Sequence, residues 1–259
     1  MPPADGTPAG GTAEPLPPLT PNAWLRWDVV RTLLPAGQDA LEVGCGLGAV
    51  GTRLARRYRY TGLEPDPDSY AVAATRIHPP SRVLNGSLDL LGSDERFDLV
   101  CAFEVIEHLP EDDRVLADWA ARLRPGGHLL LSTPGHPERF GPADELAGHL
   151  RRYRPDGLAA LLVAAGLVDV EVVPYGGPLS FVLETGRNTI ARRRLRTGAG
   201  AAHEDAAPAE RTAGSGRLLQ PSAGAAGVAT RYGTAPFRLL QRRLPLGGTG
   251  LVARGRAPG

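Results

Sequence analysis

The stretch Ala40-Leu41-Glu42-Val43-Gly44-Cys45-Gly46-Leu47-Gly48-Ala49 constrains the fold of this 259-residue chain more than any other. A short apolar strand ends beside an acid, and glycine then occupies every second position. A helical pattern follows at once: Val50, Leu54 and Ala55 fall on one face, with Arg53, Arg56 and Arg57 among the positions between. Strand, glycine turn and helix form the unit with which a doubly wound sheet presents its ligand loop. Glycine permits positive φ and leaves no Cβ between chain and ligand, while the helix N-terminus adds unpaired N–H groups and a positive dipole end. The turn alone does not choose the ligand, because Gly44, Gly46 and Ala49 also satisfy the G-x-G-x-x-G/A fingerprint of dinucleotide sites.

The rest of the chain reads as alternating strand and helix. Strands are expected at 39–43, 60–64, 82–84, 97–102, 128–132 and 167–173, and helices at 22–34 (with Asn22 as N-cap), 49–57, 66–77, 112–123 and 155–165. Pro79-Pro80 and Arg124-Pro125-Gly126-Gly127 serve as helix stops, and Gly166 as a cap. Glu64 closes the second strand about 20 residues after Gly44, where an acid accepts hydrogen bonds from ribose hydroxyls; a solvated loop acid is the plainer alternative. Trp24 and Trp27 suit core packing better than a ligand wall. Residues 179–195 and 235–243 read as helical, and Gly248–Gly255 as a seventh strand returning antiparallel at the sheet edge.

Composition narrows the partners. A net charge of +1, carried by arginine without any lysine, leaves no global field to recruit nucleic acid or an anionic membrane. Cys45 and Cys101 have neither zinc spacing nor a disulfide framework around them. No window offers about 18 apolar residues for a span, and the N-terminus lacks a leader pattern, so the cytosol is the expected compartment. Residues 1–20, rich in Pro, Gly, Ala and Thr, read as a disordered tail, and 21–259 as one domain. Within it, 175–247 reads as a lid-like insertion between strands 6 and 7, with a flexible segment at 197–228.

The motifs assemble into a known pattern. E-x-G-x-G-x-G from Glu42 to Gly48 resembles motif I of the class I S-adenosylmethionine-dependent methyltransferases. Phe97-Asp98-Leu99-Val100, then Glu104-Val105-Ile106-Glu107-His108-Leu109-Pro110, then Leu123-Arg124-Pro125-Gly126-Gly127 and Leu129-Leu130-Leu131-Ser132-Thr133-Pro134 resemble the ubiquinone-biosynthesis O-methyltransferase-like branch. The resemblance runs from about 38 to 174. It implies an α/β, doubly wound Rossmann-like seven-stranded sheet, mostly parallel with strand 7 antiparallel. It also implies S-adenosylmethionine as cofactor, held by Glu42, Gly44, Cys45, Gly46, Gly48, Glu64, Pro65, Ser87, Leu88 and Phe103. Many members of the family carry an acid at the position of Ser87, reaching the adenine; here Asp89 or a backbone group would take that role.

The acceptor is then expected beyond strands 4 and 5, beside Glu104-x-x-Glu107-His108. If that turn is helical, 104, 107 and 108 share a face. Glu104 and His108 are the candidate catalytic residues. Glu104, Glu107, His108 and His149 form a candidate set for Mg or Zn, alongside two plainer readings: His108 as a base without metal, or as a structural residue. A small-molecule acceptor methylated on oxygen is the first expectation, with N- or C-methylation of a specialised metabolite beside it. A cofactor-binding module without turnover, and an NAD(P)-linked oxidoreductase sharing only the glycine turn and Glu64, are the other classes. Arg151, Arg152, Arg154 and the 192–196 run suit an acidic substrate or lipid headgroup, or simply a solvated face. Oligomeric state is not legible.

Overall fold

The computed structural model describes residues 16–197, 224–244 and 247–259. The expected strands are all present: β1 (Asp39–Val43), β2 (Arg59–Leu63), β3 (Arg82–Leu84), β4 (Phe97–Phe103), β5 (Leu123–Pro134), β6 (Val168–Tyr175) and β7 (Gly250–Arg256). They form one sheet in the order β3-β2-β1-β4-β5-β7-β6. β1 to β5 pair in parallel, and β7 runs antiparallel between β5 and β6. Strand order therefore reverses between β1 and β4, and the crevice at a doubly wound sheet's carboxyl edge opens at such a point.

Period-2 alternation divides the apolar strand residues between two faces. Ala40, Leu99, Cys101 and Leu130 turn to one face, where they meet Leu25 and Val30 of α1 (Pro21–Leu33), Leu54 of α2 (Gly51–Leu54), and Ala73 of α3 (Pro67–Arg76). Leu41, Val100, Leu129 and Leu131 turn to the other, against Leu116 and Trp119 of α4 (Asp112–Ala120). A short helix α5 (Pro142–Ala147) intervenes before α6 (Pro155–Ala164), whose Leu158 and Leu162 complete that second face. The central strands are thus packed on both faces, as parallel sheets require.

Several boundaries differ from the sequence reading. Thr20, not Asn22, caps α1: its hydroxyl accepts from Ala23 N–H at 3.2 Å, and Pro21 supplies the pre-set φ of the first turn. The helix expected over 49–57 is only α2, since Arg57 N–H closes a tight turn on Leu54 so that β2 can begin at Arg59. β5 starts at Leu123, so the Pro-Gly-Gly segment lies within the strand, with an irregularity opposite Phe97 and Leu99. Residues 1–15 of the expected tail and 198–223 of the expected flexible segment lie outside the described residues. The last five residues of that tail, 16–20, are packed: Leu19 is buried and Pro17 O accepts from Arg53.

Between β6 and β7 the chain contributes α7 (Leu179–Arg196), α8 (Ala225–Gly233) and α9 (Ala235–Arg243). α9 docks on α1 through Asp28, a buried acid that accepts from Arg31, from Arg242 and, more distantly, from Gln241. Burial raises the Asp28 carboxyl, but the hydrogen bonds from Arg242, Arg31 and Gln241 outweigh it and hold the group below its usual 3.8. A depressed acid stabilises the fold above its unfolded pKa, and that contribution is lost as pH falls through the folded value. Asp28→Asn is expected to cost about 1–3 kcal/mol in urea unfolding at pH 7. The difference from wild type should shrink as both are taken below the unfolded value of 3.8, and amide exchange should accelerate in α9.

Candidate active site

The loop after β1 is held from β2: Leu63 O accepts from the N–H groups of Gly44 and Cys45 at 2.9 and 3.0 Å. Gly44, Gly46 and Gly48 all sit at positive φ (71°, 54° and 75°), in different surroundings. A Cβ on Gly44 would meet Val105 Cγ2 at 2.7 Å, so this glycine lets the β1 and β4 loops approach. One on Gly48 would press Ala73 of α3 at 3.1 Å. Around Gly46 no described heavy atom lies within 4 Å of that position, and its face opens onto the crevice.

Beneath the loop, Glu42 is buried and accepts from the Tyr60 hydroxyl at 2.6 Å. Burial pushes its carboxyl up to about 8, so it is protonated at neutral pH. The Cys45 thiol is also buried and driven up by burial and by the neighbouring Glu42 and Glu64, which makes it a packing residue and not a nucleophile.

Glu64 follows β2 directly and binds both sides of the crevice floor. Its Oε2 accepts from Gly46 N–H at 2.7 Å and its Oε1 from Asp66 N–H at 2.9 Å. Asn85 Nδ2 donates to the Glu64 and Pro65 carbonyls, and Gly86 N–H donates to Glu64 O, which ties the end of β3 to the same corner. Pro65, Ser87 and Asp89 are exposed, Leu88 is half-buried, and the Ser87 hydroxyl donates to Asp89. The residues expected to hold methionine, ribose and adenine thus line one continuous edge. An open glycine face with the Glu64 carboxylate and an adjoining loop beside it fits a sulfonium nucleoside.

Across the switch point, Phe103 ends β4, and Glu104 takes a left-handed conformation at φ 59°. Such strain in a non-glycine residue persists only where its surroundings impose it. Here Glu104 N–H donates to Ser132 O, and the Ser132 hydroxyl and Arg26 Nη1 reach Glu104 Oε1 at 2.8 and 3.2 Å. Burial would raise this carboxyl, but Arg26 and Ser132 hold it below its usual range. The following turn is a single 3-10 turn over Ile106–His108, so 104 does not share a helix face with 107 and 108.

The group within ligand distance of one another is Glu107, His108 and His149, whose donor atoms all lie within 4.8 Å. Glu107 is wholly buried. Its Oε2 accepts from Thr133 at 3.1 Å, while Oε1 has no hydrogen-bond partner. Burial, and then the charge of Glu104, push this carboxyl well above its usual range. His108 is pulled down to about 4 by burial and by His149, so its ring is neutral at physiological pH; Nδ1 lies 3.2 Å from Gly148 O. The His149 ring stands edge-on to His108 at 4.8 Å.

Arg26, Tyr175 and Asp144 escaped the sequence reading. Arg26 sits within W-L-R-W on α1 and crosses to Phe103, Glu104 and Tyr175. Tyr175 ends β6 and is buried against it. Asp144 and Arg152 form a buried pair that also takes in His149 and Glu184. Arg152 is therefore no surface cation, although Arg154 is exposed. A cavity of about 310 Å³ lies beside this pair, lined by residues 138–142 together with Glu184, Asn188 and Arg192.

A seven-stranded sheet with this order, an antiparallel β7 and a glycine loop at the switch point is the architecture of the class I S-adenosylmethionine-dependent methyltransferases. The sequence matches the family described as "Methyltransferase domain" over residues 24–172, and the chain belongs to that family. A Mycobacterium tuberculosis protein named "Probable S-adenosylmethionine-dependent methyltransferase" is 36% identical over 159 residues, covering 58% of this chain and 57% of that protein. The ubiquinone biosynthesis O-methyltransferase of Xanthomonas axonopodis is 32% identical, covering 58% and 64%. The aligned part spans less than two thirds of either relative. Among solved structures, a Haemonchus contortus phosphoethanolamine N-methyltransferase superposes with a TM-score of 0.55 at 16% identity, over 90% of this chain and 53% of that one. A Thermotoga maritima methyltransferase gives 0.53 at 19%, over 92% and 89%. At such identities the likeness concerns the fold.

Gly46→Ala should separate binding from stability. The new methyl meets no described atom, so the fold loses only about 1–2 kcal/mol from the left-handed backbone. The same methyl enters the crevice, and titration with S-adenosylhomocysteine should show affinity falling by tenfold or more. Gly44→Ala should instead lower thermal stability as well, through Val105.

Proposed function

We propose that the protein transfers a methyl group from S-adenosylmethionine to a hydroxyl of a small-molecule acceptor. The observation that carries the choice of oxygen is the buried Glu107 Oε1, a polar atom without a partner, facing His149 Nε2 across 3.9 Å. That separation is too long for a hydrogen bond between them, and both atoms suit a hydroxyl brought between them. The name of the Xanthomonas relative supports the same reading.

S-adenosylmethionine, when bound, supplies a methyl already activated on a sulfonium. This chain's residues then have to bind, align and exclude water, and alignment alone is worth about 7–11 kcal/mol. The Gly44–Gly48 backbone would hold the methionine end, with Glu42 and Cys45 supporting the loop from below. Glu64 and Pro65 would take the ribose, Ser87 and Leu88 the adenine, and Phe103 the cofactor amine. His108, neutral at working pH, would take the acceptor's proton, with Glu104 fixing the turn through Ser132 and Arg26. Glu107, His108 and His149 also fit a divalent cation such as Mg or Zn, which would lower the acceptor's pKa; Glu104, engaged with Arg26 and Ser132, stands beside that set. The 175–247 excursion would act as the lid over the acceptor. No described helix is long and apolar enough to cross a membrane, and a small molecule is the proposed partner.

Calorimetric titration with S-adenosylhomocysteine should show micromolar binding that Glu64→Ala abolishes. Absence of binding in wild type would overturn the proposal. With an acceptor in hand from a screen of phenols and catechols, His108→Ala should lower kcat by about 10²–10⁴ while leaving cofactor affinity intact.

A further inference from the structure

We infer that Asp144 is a positioning residue: it holds His149 as the Nδ1–H tautomer and thereby presents the Nε2 lone pair to Glu107. The inference rests on the methyl-transfer reading of this site, but it concerns only atoms of this chain. His149 Nδ1 lies 2.9 Å from Asp144 Oδ1, and His149 N–H donates to the Asp144 carbonyl at 2.9 Å, so one residue fixes both the ring and its backbone.

The protonation state follows from the other partners. Arg152 donates through Nε to Oδ1 at 2.8 Å and through Nη2 to Oδ2 at 2.7 Å, and Gly141 N–H donates to Oδ2 at 2.8 Å. A carboxylate gripped in this bidentate way is ionised and can only accept. The histidine atom facing it must therefore carry hydrogen. In a neutral ring the other nitrogen is then an acceptor, and that nitrogen is the one 3.9 Å from the unpartnered Glu107 Oε1. An acceptor nitrogen consequently faces the unpartnered Glu107 Oε1 across one gap.

The hold on Asp144 extends outward. Arg152 Nη1 also donates to Glu184 on α7, and Arg139 Nε donates to the other Glu184 oxygen at 2.8 Å. The carboxylate orienting His149 is thus braced from α7, the first helix of the excursion. Carboxylates orient histidines in the same way at metal and nucleophile sites, where removing the partner scrambles the tautomer.

The test reads the tautomer directly, without cofactor or acceptor. Ring nitrogens of the 15N-labelled full chain are observed by NMR, and His149→Gln assigns the resonances of His149 among the six histidines. Wild type is expected to show His149 protonated at Nδ1 and bare at Nε2. Asp144→Asn, whose amide can present either oxygen or NH2, should lower the Nδ1–H population about twofold or more. A role confined to holding Arg152 and capping α5 would leave the tautomer unchanged in that variant and overturn the inference. If Asp144→Asn does not fold, wild type decides: a predominant Nε2–H tautomer overturns it, and a predominant Nδ1–H tautomer supports it. Failure of S-adenosylhomocysteine to bind would remove the methyl-transfer reading without moving these resonances.

Discussion

The close approach of two loops at the switch point governs the molecule. Gly44 stands against Val105 with no room for a methyl, and this brings the glycine turn of β1 beside the strained end of β4. One loop offers open backbone; the other carries Glu104, Glu107 and His108. The two loops share a crevice because parallel strands end together and their neighbours diverge there. The Leu63 carbonyl accepting from Gly44 and Cys45, and Glu64 accepting from Gly46 and Asp66, then fix the floor from β2.

The buried charges are arranged by distance from that crevice. Asp28 and its arginines fasten the late helix α9 to α1, far in sequence and adjacent in space. Asp144, Arg152, Glu184 and Arg139 fasten α7 to the segment bearing His149. Such pairs contribute little net stability against well-packed apolar residues, but losing one partner strands a charge and is costly. They therefore fix where the excursion elements sit. Glu107 differs from these pairs, since one of its oxygens has no partner. A buried polar atom left so is costly to the fold, and that cost is understandable where a ligand supplies the missing partner.

Local pattern was enough to mark the strands, because strand periodicity and glycine turns act over a few residues, and the resemblance to a known family supplied their doubly wound order. Local pattern also singled out the glycine loop, Glu64 and the Glu107-His108 pair, whose positions follow from the ends of particular strands. The capping of α1 by Thr20 and the brevity of α2 turned on a single side-chain bond and on where β2 had to begin, and these were not legible. Nor was Arg26, which reads as one more helix arginine until α1 packs across Phe103. The sequence by itself determined which strands exist and at which end of the sheet the glycine loop and Glu64 stand. Only the tertiary structure decided which acid stands with the histidines and which pairs with Arg26. It also decided that Arg152 is buried and that Asp144 grips His149. Those choices depend on through-space contacts between segments brought together by the sheet, at separations no local pattern encodes.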